Sequence, residues 1–266
     1  MSFASTVSVV WFCYGSKTVM NTGYYMDYLS WLGLTLAVAS LLALGASGPG
    51  FRLGLWEFKT GIGLVKCAAY VSLAAVGACV LSVLFWMMGS TIVGQTPAFM
   101  GLVIGGFVLV WTLKWKHQLD SVPYIHDIST DTVNPPLFVA VLPLRVGAEN
   151  TAEYGGPELA AQQKEGYPEL APGWLRSSPE ATFPRALQAA KEMGWEIVAA
   201  DPKSLRIEAT DTTAWFGFKD DVVVRLTPSP AGSRIDVRSV SRVGKSDVGT
   251  NACRIKAYLA RMTYSH

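Results

Sequence analysis

Three long apolar runs, Tyr28 to Ala46, Leu64 to Met88 and Ala98 to Trp115, fill most of the first 116 positions, and nothing of that length recurs afterwards. At about 1.5 Å of rise per residue each can cross a hydrocarbon core of roughly 30 Å, which predicts three transmembrane helices in a membrane domain over 1–116. Gly48-Pro49-Gly50 is expected to stop the first helix, and Gly89 with Pro97 to bracket the turn between the second and third. Ahead of them, residues 1–27 lack the basic start and small-residue cleavage site of a signal peptide. Trp11, Tyr14, Tyr24, Tyr25 and Tyr28 read either as an interfacial segment or as part of an N-terminal tail.

From residue 178 onward the pattern shortens to helix and strand periods. Ser178-Pro179-Glu180 offers a helix start, Phe183, Leu187 and Ala190 recur on one face, and Gly194 suits the C-terminal cap; Pro184 moves the expected regular part to near Thr182. Alternation predicts strands at Trp195–Ala199, Leu205–Thr210, Val222–Leu226 and Arg234–Val240. A last helix from Asp247 to Met262 carries Val248, Ala252, Ile255, Leu259 and Met262 as one apolar stripe. The expected fold of 178–266 is therefore an α+β domain, a four-stranded antiparallel sheet with two helices on one face. Leu205, Ile207, Val222, Val224, Leu226, Ile235 and Val237 would face those helices. Arg206, Glu208, Val223, Arg225, Arg234, Asp236 and Arg238 would form the solvated face, either as cross-strand ion pairs or, through the surplus of Arg, as an anion site.

Between the two regions, 117–177 is rich in Pro, Gly and acidic residues. It holds Ile125-His-Asp-Ile-Ser-Thr-Asp131, Asn134-Pro-Pro136 and the apolar Leu137 to Leu144, without a sustained period, and is expected to be an extended arm packing on the α+β domain.

Charge sharpens this division. Six of the 22 Lys and Arg but two of the 20 Asp and Glu precede His117, so the C-terminal part is slightly acidic and lacks the basic footprint of nucleic-acid binding. Within the membrane part, Arg52, Lys59, Lys66, Lys114 and Lys116 lie on one side and Lys17 on the other. The positive-inside rule then places the N-terminus outside and the C-terminal domain in the cytoplasm of a multi-pass membrane protein. Lys66 sits near its helix start and is expected to snorkel. Gly101 and Gly105 form a GxxxG spacing that would pack helices within the bundle or against another membrane protein. Cys13, Cys67, Cys79 and Cys253 show no CxxC and no Cys/His grouping, so no metal, cofactor or disulfide framework is expected.

Candidate chemistry gathers in three stretches. At Ser239 to Asn251 a strand gives way to a helix among Arg238, Arg242, Lys245, Ser246, Asp247 and Asn251; either Ser246 and Asp247 cap the helix, or Arg242, Lys245, Ser246 and the helix start bind a phosphate or carboxylate. His126 with Asp127 and Asp131 could supply a general base and its orienting carboxylate, or a hydrogen-bonded loop. Asp211, Asp220, Asp221 and Asp247 add carboxylates that an oxygen-ligated cation would need. Trp215, Phe216 and Phe218 would pack on the Leu137–Leu144 arm or dip into the bilayer. GxSxG, HExxH and P-loop motifs are absent.

Taken in order and spacing, Ile125–Asp131 with Asn134–Pro136, Trp215-Phe-Gly-Phe-Lys-Asp-Asp221 and Arg238–Asn251 resemble the bacterial domain of unknown function 1499 family over about Ile125 to Met262. The resemblance implies a domain often found behind membrane helices and transfers no catalytic role to any residue. Members anchored by one N-terminal helix leave the opposite side of the membrane open for the domain. The expectation is a membrane-anchored, non-catalytic binding or accessory protein, whose domain binds a partner protein or an anionic or amphiphilic ligand such as a lipid headgroup. The alternative is an enzyme acting on a lipid or other amphiphile, with His126 and Asp127 as acid and base and Arg242 as anion clamp.

Overall fold

The computed structural model describes the backbone of residues 4–88 and 95–264 and the side chains within 27–88 and 95–263. It falls into two compact units, Met1–Lys116 and His117–His266.

The first unit is helical: α1 (Ala4–Arg52), α2 (Phe58–Met87) and α3 (Thr96–Ser121). Three segments, Asp27–Arg52, Phe58–Met87 and Thr96–Ser121, are long and apolar enough to cross a membrane, and the chain is a membrane protein on that ground. The helix α1 continues through Pro49 to Arg52 instead of stopping at Gly48. Pro49 stands in the last turn, where its missing N–H costs one bond to Gly45. The chain then turns at Leu53–Glu57, with the Trp56 ring packed over Gly50 and its Nε1 donating to Ser47 O at 3.2 Å. The side chains of Trp11, Cys13, Tyr14, Lys17, Tyr24 and Tyr25, and the turn expected at Gly89, lie outside the described residues.

Small residues let these helices approach. A Cβ on Gly101 would lie 2.5 Å from Cys79 Sγ and 3.1 Å from the backbone nitrogen of Leu34, and one on Gly105 would lie 3.3 Å from Val76. Both glycines thus face α1 and α2 inside the bundle. Ser30 and Ser82 share a hydrogen bond of 2.6 Å between α1 and α2, and Lys66 is exposed, as snorkelling requires.

In the second unit the sheet has six strands rather than four. These are β1 (Asp127–Ser129), β2 (Gly173–Leu175), β3 (Glu196–Asp201), β4 (Arg206–Thr212), β5 (Lys219–Ser229) and β6 (Gly232–Ser241), with α4 (Gly156–Gly166), α5 (Pro179–Glu192) and α6 (Thr250–Tyr264). The order is β1-β6-β5-β4-β3, all antiparallel, and β2 also pairs with β6. β1 meets Arg238–Val240 and β2 meets Ser233–Ile235, end to end along the same edge of β6. Both extra strands come from the stretch expected to be an arm. Each is three residues long, too short for alternation to register.

Gln163 of α4 closes the far edge of β1: Ser129 N–H donates to its Oε1 at 2.9 Å, and its Nε2 donates to Ser129 O at 2.7 Å. A buried side-chain amide here replaces a neighbouring strand.

α5 begins at Pro179, ahead of the expected Thr182, because Ser178 Oγ accepts from Ala181 N–H at 3.3 Å and a proline at the first helical position needs no donor. Gly194, at φ 78°, ends the helix as expected. The helix-facing side of the sheet buries Ile207, Val222, Val224, Leu226, Ile235 and Val237 against α5 and α6, with Leu205 packed beside them. Trp195 and Tyr258 stack there at 5.0 Å. Each such aliphatic contributes about 1.5–3 kcal/mol on burial, so this layer is the main source of cohesion.

The opposite face is largely covered, with Arg206, Arg225 and Arg234 partly exposed at its margin. Residues 136–152 lie across it, with Phe138 and Val141 packed on Val223 and Val240, and Glu208, Asp236 and Arg238 are at most 1% exposed. The alternating charges there form a buried polar layer beneath a strap.

Candidate functional site

Charged residues in that layer must be paired, since an isolated buried charge costs several kcal/mol. Three linked groups meet the requirement.

At the centre, Arg238 is forked onto Asp127: Nε donates to Oδ1 at 2.9 Å and Nη2 to Oδ2 at 2.7 Å. It also donates to the carbonyls of Pro136 and Ala152 and lies between the rings of Phe138 and Tyr154, 5.1 and 5.3 Å from their centroids. Burial first, then the nearby Asp127 carboxylate, pushes the Tyr154 phenol up to about 12. Beside this pair Glu208 accepts the N–H groups of Val139 and Val141 at 3.0 Å and faces Arg206 Nε at 2.9 Å, fastening the strap to β4.

At one end Asp221 accepts from Arg145, Arg242 and Thr210. Arg145 Nη1 is 2.6 Å away, Arg242 Nε and Nη2 are at 2.9 and 2.8 Å, and Thr210 Oγ1 is at 2.7 Å. Burial is the largest single influence on Asp221 and raises its pKa. The hydrogen bonds from Arg242, Thr210 and Arg145 together outweigh it and hold the carboxyl below its ordinary value. Arg242 also donates to Leu144 O at 2.8 Å.

At the other end Asp131 accepts from Arg225 and Arg234, at 3.0 and 2.9 Å, and both arginines also meet Asp236. The second oxygen of Asp131 accepts from the N–H groups of Val133 and Asn134, forming the turn that launches the strap.

The helix side carries one further cluster. Arg254 of α6 pairs with Asp211 at 2.7 Å and Asp220 at 2.6 Å and donates to Asn251 Oδ1 and Ser239 Oγ. Asn251 is fully buried, and its Nδ2 donates to His126 O at 2.9 Å and Ser241 Oγ at 3.0 Å. It therefore ties β1, β6 and α6 together.

The strand-to-helix junction is held by its own side chains. Asp247 accepts from Gly249 and Asn251 N–H at 2.9 and 2.7 Å, so it caps α6, which starts at Thr250 rather than at Asp247. Burial raises the Asp247 pKa despite those bonds. Ser246 Oγ accepts from Val248 N–H at 3.2 Å. Val248 and Gly249 adopt left-handed φ values of 54° and 81°, a turn that ends one residue before the helix. The first N–H groups of α6 and the Arg242 guanidinium are thus engaged internally. Lys245 is exposed and makes none of the described ion pairs.

His126 meets the junction through its backbone: Ser241 N–H donates to its carbonyl at 3.0 Å. None of the described hydrogen bonds uses its imidazole, and both oxygens of Asp127 belong to Arg238. An acid–base pair of His126 with Asp127 is not assembled. Trp215 is 43% exposed in the β4–β5 loop, where Phe216 is buried and stacks on Phe218 at 4.9 Å. Asp211 and Asp220 share Arg254, Asp221 is held by Arg145 and Arg242, and Asp247 caps the helix. No group of three or more His, Cys, Asp or Glu suited to a metal occurs among the described residues.

Two depressions mark the surface of this unit. The larger, about 430 Å³, is lined by Gln118, Trp195, Asp211, Cys253 and Arg254 among others. The smaller, about 200 Å³, is lined by Asn134, Pro136, Leu137, Ser204, Arg206 and Arg225. Neither contains His126, Arg242, Lys245 or Trp215. Sequence alternation already places Arg206 and Arg225 on one face, and the β4–β5 register sets them directly opposite each other.

The family model described as protein of unknown function (DUF1499) matches residues 127–262, just over half of the chain. The chain belongs to the DUF1499 family. The match opens at Asp127, the first residue of β1, and so takes in both arm strands of the DUF1499 domain. Comparison with curated protein sequences returns no match.

Proposed function

We propose that this chain is a membrane-anchored, non-catalytic accessory protein of the bacterial inner membrane, whose cytoplasmic DUF1499 domain holds a partner membrane protein through its strap. One observation carries this reading. Leu137, Val139, Leu142, Leu144 and Val146 stand between 46% and 88% exposed on a segment fastened from beneath by Glu208, Asp221 and Arg238. Aliphatic side chains held outward on a rigid support are what a protein interface needs, since little ordering entropy is spent on docking. Arg145, the one cation between 133 and 146, is turned inward onto Asp221, so the ridge lacks the free basic groups that draw a surface to anionic lipid. The side assigned to the domain rests on the Lys and Arg of the intervening loops.

The test is purification of the full-length chain in mild detergent, with wild type beside the double variant Leu142→Asp/Leu144→Asp. A stoichiometric membrane protein retained by the wild type and lost by the variant is expected. A wild type that elutes without any partner refutes the reading.

A further inference from the structure

The smaller depression holds an arrangement that the strap reading does not use. In the antiparallel register Arg206 of β4 stands directly opposite Arg225 of β5, on the same face of the sheet. Like charges in directly opposed positions destabilise a strand pair. Both guanidiniums also have donors to spare. Arg206 has a carboxylate contact through Nε alone, to Glu208, and none of the described hydrogen bonds uses its terminal nitrogens. Arg225 directs Nη2 at Asp131, Asp236 and Asn134 O, while its buried Nε has no partner.

The acids nearby are already neutralised. Glu208 accepts two backbone N–H groups besides facing Arg206, and Asp131 and Asp236 are shared between Arg225 and Arg234. Asp201 is held by its own turn, accepting from Ser204 Oγ at 2.6 Å and Lys203 N–H at 2.9 Å. The rim adds the exposed Asn134 on one side and Leu137, 70% exposed, with Pro136 on the other.

We propose that the notch between Arg206 and Arg225 binds a phosphate-type oxyanion, held by the terminal nitrogens of Arg206 that none of the described hydrogen bonds uses. Both arginines line this depression, and a planar guanidinium fork is the donor geometry that favours arginine over lysine at phosphate sites. The ligand is either free phosphate or the headgroup of an anionic lipid whose apolar part meets Leu137. The proposal shares Leu137 with the strap reading, but the two fail separately, because the docking variants Leu142→Asp and Leu144→Asp leave Arg206 and Leu137 intact.

The experiment is thermal unfolding of the full-length chain in an uncharged detergent. Sodium phosphate is compared with sodium chloride at matched ionic strength, and dihexanoyl phosphatidic acid with dihexanoyl phosphatidylcholine. The unfolding midpoint is expected to rise with phosphate, with phosphatidic acid or with both, and Arg206→Gln is expected to weaken the apparent affinity at least tenfold. A response to phosphate assigns a free oxyanion. A response to phosphatidic acid alone, reduced by Leu137→Asn, assigns a headgroup. No response to either, or an equal response in Arg206→Gln, overturns the proposal.

Discussion

Removing the Asp127 carboxylate isolates the most deeply buried cation of the domain. In Asp127→Ala, Arg238 remains fully buried and loses both arms of its fork, at 2.9 and 2.7 Å. Breaking a buried pair from one side costs about 3–5 kcal/mol. The carbonyls of Pro136 and Ala152 and the rings of Phe138 and Tyr154 still face the guanidinium, which places the expected loss near 3 kcal/mol. At roughly 2–4 °C per kcal/mol for a unit of this size, the domain should unfold about 6–12 °C lower. The assay is near-UV circular dichroism of the full chain in mild detergent on heating, checked by limited proteolysis. Adding Arg238→Met removes the orphaned charge and should recover at least half of the loss, since a buried ion pair contributes little beyond an apolar pair of similar volume. A loss below about 1 kcal/mol in the single variant, or a double variant less stable than the single, refutes the view that the pair matters through burial.

Four further outcomes follow from the same geometry. Gln163→Ala should cost about 1–3 kcal/mol and speed hydrogen exchange at the Ser129 amide, because it leaves a buried N–H and C=O of β1 unpaired. Asp221 has a lowered folded pKa, so its stabilisation is complete above the ordinary value of 3.8 and is lost as pH falls through the folded value; Asp221→Asn should flatten the acid limb of a stability–pH curve. Asp247 is shifted the other way, so its contribution is complete below 3.8 and is lost as pH rises through the folded value. Asp247→Asn should therefore gain on wild type as pH rises, whereas Asp247→Ala loses the cap at about 1 kcal/mol, both read by denaturant titration. In the membrane unit Gly101→Leu should destabilise the bundle by about 1–3 kcal/mol, read as a lower thermal midpoint, because it forces Cys79 and Leu34 apart, while Gly106→Leu, with open space at its Cβ, should be tolerated.

The elements that a period can reveal were legible: the three spans, the four long strands, and the amphipathic α5 and α6. So was the inner face, because Ile207, Ile235 and Val237 alternate with charged residues and Val222 and Val224 keep the same period on either side of Val223. What alternation does not distinguish is a solvated charge from a buried paired one. Arg238 and Asp236 occupy positions that suit either, and the decision rests on Phe138, Val141 and Asp127, about a hundred residues earlier. The same distance hid β1 and β2, which exist as strands only because β6 supplies their partners. At the junction the residue types pointed to a real local device: Ser246 and Asp247 organise the start of α6, and Arg242 is engaged by Asp221 and Leu144 O. Pro49 does not stop α1 and Pro184 does not delay the start of α5, since each costs one backbone bond in a helix held by packing on other faces.

The position of β1 imposes an order on biogenesis. Residues 127–129 leave the ribosome directly after the third span, yet their partners are residues 238–240 of the last strand. A stretch of more than a hundred residues must be synthesised before the first strand of the domain can pair, and its strap can be fastened only once Arg238 and Arg242 have arrived. The membrane helices can therefore insert and pack while the domain behind them is still an open chain. A ribosome that stops short of β6 would release an anchored bundle trailing an unpaired strand and a strap with its aliphatic side chains uncovered, a natural substrate for membrane-bound quality control.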